Sequence, residues 1–201
     1  MSTPSFTDSP RFIAAIARFD AENTKDPKRI PAAGIEQPHE LAYSHWLTDW
    51  VMRLAPNASE PLRLAARCQH LCRWEIPRDS YPATRAGYLK WRQVLKEFHA
   101  DKAAGILRGV GYDDATIRQV RELNLKKNFP ADADCRVLED ALCLVFLEHQ
   151  FSELAAKTTE EKLIAALQKC WGKMTGQARA RALTLSYSDE EKRLLQLALN
   201  S

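Results

Sequence analysis

The chain has 201 residues, 45% hydrophobic and 27% charged, proportions of a soluble globular protein that rule out wholesale disorder. Its net charge of +3, from 29 basic and 26 acidic residues, is too small to mark a phosphate-backbone binder, so nucleic acid is not an expected partner. The densest apolar run, Ala141 to Leu147, falls far short of the roughly 18 residues of a membrane-spanning helix, so no membrane partner is expected either. The start MSTPSFTDSP has neither the cationic beginning nor the apolar stretch of a signal peptide, which points to the cytoplasm. Five cysteines embedded in helical patterns read as core thiols in a reducing compartment.

The punctuation of the chain is helical. Residues 1–8 are expected to be disordered; Ser9-Pro10 then supplies an N-cap and a first-turn proline for a helix that carries Phe12, Ile16 and Phe19 to about Asn23. Residues 24–38, with three prolines and a glycine, are expected to form a long functional loop without a strand. A second helix runs from about Pro38 to Leu54 on Tyr43, Leu47, Trp50, Val51 and Leu54, and a third from Ser59 to about Trp74. After the proline-rich EIPRDSYPAT, Thr84 caps a fourth helix that ends near Gly109 or Gly111, and Asp113 caps a fifth. A sixth, from about Asp134 to Ala155, is apolar on nearly every side and is expected at the centre. Thr158 with Glu161 and Ser188 with Glu191 read as capping boxes, and Thr175 as the start of a short helix between them. The expectation is an all-α, single-domain bundle of about eight helices over residues 1–201, with residues 156–201 packed as C-terminal helices on its core.

Polar residues on these stripes are the candidates for chemistry. Arg63, Arg67, His70 and Trp74 recur at helical spacing, and Arg73 and Arg78 follow; guanidinium forks match phosphate or carboxylate, although a solvated basic face gives the same pattern. Asp140 shares a face with Val137, Leu144, Leu147 and Phe151, where a carboxylate needs a partner, either a metal or a buried arginine such as Arg67. Glu40 and Ser44 face with Leu47, His39 lies near Tyr43, and His45 is expected to be solvated. Arg92 and His99 share a face with Tyr88, and Lys126 and Lys127 form a loop-borne cation pair. There is no Walker loop, GxGxxG or GxSxG motif, and Cys68 and Cys72 lack a second pair at zinc spacing.

The segments ELAYS, SEPLRLAARCQHLCRWEIPR, RAGYLKWRQVLKEFHA and LEDALCLVFLEHQF together resemble the uncharacterised family catalogued as domain of unknown function 4202, over about Asp26 to Ala198. A more distant similarity, carried by LAARCQHLCRW and LEDALCL, is to the HD-domain metal-dependent phosphohydrolases. It implies an HD-like helical core with His70 and Asp140 at two ligand positions; Leu71 stands where that family has a paired aspartate, and Ser44, beside His45, falls at its first-histidine position. The functional expectation is a hydrolase or lyase acting on a small phosphorylated or anionic metabolite in a basic helical pocket. His70, Asp140 and His99 are its catalytic candidates. Arg63, Arg67, Arg73, Arg78, Arg92, Lys126 and Lys127 would bind the substrate, and His70, Asp140 and Glu40 would hold a divalent ion. The alternative is a non-catalytic, nucleotide-sensing protein with a degenerate site, and either reading suits a monomer or a homodimer.

Overall fold

The computed structural model describes residues 8–32 and 34–200, and divides into two compact units, one ending at Cys135 and the other comprising Arg136–Ser201. The expected disorder of residues 1–8 lies outside the described residues except for Asp8, which pairs with Arg63. Among the described residues the chain is helical apart from one two-stranded ribbon, and no helix is long and apolar enough to cross a membrane.

In the first unit, α1 (Pro10–Asn23) starts where Ser9 Oγ accepts from the Phe12 amide, and buries Phe12, Ala15 and Phe19. The segment expected to be a plain loop instead forms an antiparallel ribbon of β1 (Arg29–Ala32) and β2 (Ile35–Pro38), in register from Arg29 opposite Pro38 to Ala32 opposite Ile35. The expectation missed it because Pro31 and Pro38 argue against a strand, yet both are tolerated in a ribbon with two free edges. Gly34, at φ +79°, supplies the left-handed turn. The ribbon brings the chain back on itself: the His39 amide donates to Lys28 O at 2.8 Å where α2 (His39–Leu54) begins.

The third helix is shorter than its periodicity suggests. α3 (Glu60–Cys68) is capped by Ser59; Gln69 still has helical dihedrals, and the chain then turns through Cys72, whose φ of +56° is left-handed. Trp74, beyond that left-handed residue, is therefore out of phase with the Arg63–Arg67 stripe. α4 (Arg85–Gly109) and α5 (Asp114–Leu125) begin at the expected caps, Thr84 and Asp113. α1 to α5 pack mutually around Leu47, Val51, Leu62, Leu64, Leu71, Leu95 and Leu107.

α6 (Ala133–Val145) carries the chain into the second unit. Its expected continuation to Ala155 is interrupted by a π-helical turn, Phe146–Gln150, before α7 (Phe151–Lys157). α8 (Glu160–Lys173) has Thr159 at its N-cap position, one residue later than the expected Thr158 and without a side-chain capping bond. α9 (Gly176–Ala182) starts at Thr175, and α10 (Asp189–Asn200) opens with the reciprocal Ser188–Glu191 box. Leu163, Leu167, Leu194 and Leu195 are buried where α8 and α10 pack.

Candidate functional site

The polar interior of the first unit gathers where the ribbon, the start of α2, the turn after α3 and the middle of α4 meet. Glu40, on the first turn of α2, is only 4% exposed. Burial alone would raise its carboxyl, but His39 and His70 more than offset this and hold it well below the usual carboxylate range. Its Oε1 lies 3.1 Å from His39 Nδ1 and 3.9 Å from Arg73 Nε, and its Oε2 lies 3.4 Å from His70 Nδ1. Buried Oε2 has no hydrogen-bond partner within the standard distance and angle limits. An ionised, buried oxygen in that condition is costly unless something else engages it.

His70 stacks on Tyr43, with ring centroids 4.1 Å apart, and its Nε2 lies 3.4 Å from a guanidinium nitrogen of Arg73. Because a guanidinium only donates, that geometry places the lone pair on Nε2 and the proton on Nδ1, facing Glu40. Burial first, and then the Arg73 charge, lower the His70 pKa to about 4, so the ring is neutral. His99, from α4, lies with its ring centroid 5.8 Å from that of His70. Its Nδ1 is 2.7 Å from Leu71 O, and a carbonyl only accepts, so Nδ1 carries the proton and Nε2 a bare lone pair. That Nε2 is buried without a hydrogen-bond partner. Desolvation, reinforced by His70, lowers the His99 pKa to about 3.

Two residues outside the candidate set build this arrangement. Asn23 ends α1 fully buried; its side-chain amide donates to Glu40 O at 3.4 Å and its Oδ1 accepts from the Cys72 amide at 3.1 Å. Asp26, 4% exposed, accepts the Lys28 amide on Oδ1 and the Glu40 amide on Oδ2, both at 2.9 Å. The pattern Asp26-x-Lys28 before a Pro-His-Glu helix start was the available signal, since aspartate readily accepts from the amide two residues on.

The structure thus brings together Glu40, His70, Arg73 and His99. The other arginines are engaged elsewhere. Arg63 pairs with Asp8 at 2.6 Å over the Phe12 ring, and Arg67 grips Asp20 with two bonds of 2.6 and 2.7 Å. Arg78 donates to the Tyr81 and Pro82 carbonyls, and Arg92 to the Tyr88 hydroxyl. Lys126 occupies the left-handed cap of α5, and Lys127 is exposed. Asp140 belongs to the second unit, where Thr175 takes both its oxygens: the backbone amide on Oδ1 at 2.9 Å and the hydroxyl on Oδ2 at 2.5 Å. His45, expected in solvent, keeps 44% of its side chain exposed but turns Nε2 inward, 3.9 Å from Asp20. Four of the cysteines are buried and Cys170 partly so; burial pushes the Cys68 thiol up to about 12 and Cys72 to about 11, which leaves them un-ionised and poorly nucleophilic.

Fold and site define a helical protein with a buried carboxylate–imidazole cluster next to an arginine. The chain belongs to the family described as Domain of unknown function (DUF4202), whose model matches residues 13–195. No curated protein and no solved structure gives a significant match.

Proposed function

We propose that this protein is a hydrolase or lyase of a small phosphorylated metabolite, with His70 as the proton-transferring group. The observation that carries the reading is the placement of His70 between Glu40 at Nδ1 and Arg73 at Nε2. Glu40, 3.4 Å from Nδ1, stabilises the imidazolium formed when Nε2 accepts a proton. Arg73 holds a phosphoryl oxygen beside that nitrogen and offsets charge in the transition state. In the hydrolytic form, water attacks phosphorus as its proton passes to Nε2; the bond to the leaving oxygen breaks, and the imidazolium returns the proton to it. The bare Nε2 of His99 is a second acceptor in the same interior.

The test is a panel of phosphorylated metabolites assayed against the wild-type protein and His70→Ala, with and without added manganese. Turnover by the wild type, reduced at least about a hundredfold in His70→Ala with an unchanged circular dichroism spectrum, is the expected result. Phosphoester binding without turnover would overturn catalysis and leave the nucleotide-sensing alternative.

A further inference from the structure

We infer that Asp26, His39 and Glu40 bind one divalent first-row transition ion. Each offers a ligand atom, and the three atoms lie within 4.8 Å of one another. This set differs from the sequence-based one, because the ribbon delivers Asp26 to the start of α2. The inference goes beyond the hydrolase reading, since retention of an ion is measured without turnover.

Three independent observations support the site. Two ligands held about 2.1 Å from an ion, at tetrahedral or octahedral angles, lie about 3.0–3.4 Å apart; Glu40 Oε1 and His39 Nδ1, hydrogen-bonded in the structure, are separated by 3.1 Å, so an ion would take the place of the proton between them. Asp26 and Glu40 are each more than nine-tenths buried. A nearby cation would compensate that buried negative charge. Finally, the groups are braced: the Lys28 and Glu40 amides orient the Asp26 carboxylate and leave lone pairs on both oxygens. The His39 side chain, 15% exposed, leaves a route for entry. One imidazole with two carboxylates suits manganese, iron, cobalt or zinc, and the lack of thiolate in the set disfavours softer ions. Glu40 would serve two neighbours, Oε1 facing the ion and Oε2 facing His70.

The test uses the full-length protein, stripped with chelator and titrated with cobalt(II) alone, read by visible absorption and by equilibrium dialysis with elemental analysis. One cobalt per chain is expected, with affinity lowered more than about tenfold in His39→Gln and unchanged in His45→Ala. An experiment without variants accompanies it: addition of substoichiometric manganese should broaden the His39 ring resonances before those of His45 and His149. Absence of cobalt binding at millimolar concentration, equal loss in both variants, or uniform broadening would overturn the site. Because none of these readouts involves a substrate, an ion retained by an inactive protein would refute only the hydrolase reading.

Discussion

Asn23 Oδ1 accepts the backbone amide of Cys72 at 3.1 Å, joining the end of α1 to the left-handed turn that follows α3. The same side chain donates to the carbonyl of Glu40, so one buried amide fixes two of the segments that carry the site. A non-glycine residue held at positive φ persists only where its surroundings enforce it.

Replacing Asn23 with alanine leaves the buried Cys72 amide without its acceptor. The expected cost is about 1–3 kcal/mol in urea unfolding, with an unchanged denaturant slope. A loss below about 0.5 kcal/mol would show that the turn holds itself.

Stability on the acid side should depend on Asp20. Burial works to raise its carboxyl, but the nearby His45 ring and the two bonds from Arg67 prevail and hold it below its ordinary value. A carboxyl with a folded-state pKa below its unfolded value of about 3.9 contributes stability that is complete above that value and lost as pH falls through the folded one. Wild type should exceed Asp20→Asn by about 1.5–3 kcal/mol at pH 7, and the difference should shrink steadily below about pH 4. A pH-independent difference in paired denaturation curves would count against this.

In the second unit, Thr175 both caps α9, accepting the Ala178 amide at 3.3 Å, and donates to Asp140. Thr175→Val should remove both bonds at nearly constant volume and cost about 1–2 kcal/mol of stability by thermal or chemical denaturation. A variant as stable as the wild type would mean that Asp140 is held by other means.

Helical character was legible because its signals are local. Ser9, Ser59, Thr84, Asp113 and Thr175 all cap helices where the sequence placed them. The site was legible only in part. Glu40 and His99 stood out on helix faces shared with apolar or aromatic residues, and His70 and Arg73 in a nitrogen-rich stretch, and the structure brings the four together. What periodicity could not reveal was that α3 would stop at Cys68 and that Arg67 would pair with a carboxylate 47 residues earlier. Such pairings are decided by packing between segments distant in sequence, and the buried Asn23 and Asp26 sit in stretches that otherwise read as a helix end and a loop.

The ribbon between Asp26 and His39 also works as a spacer whose parity matters. Adding one residue to each strand would lengthen the protrusion while returning the chain to α2 in the same phase. A single extra residue in β2 alone would swing the following side chain to the opposite face and carry His39 away from Asp26. Natural relatives should therefore vary in length at the turn, beside Ile35, which is already 64% exposed, rather than by single residues within one strand.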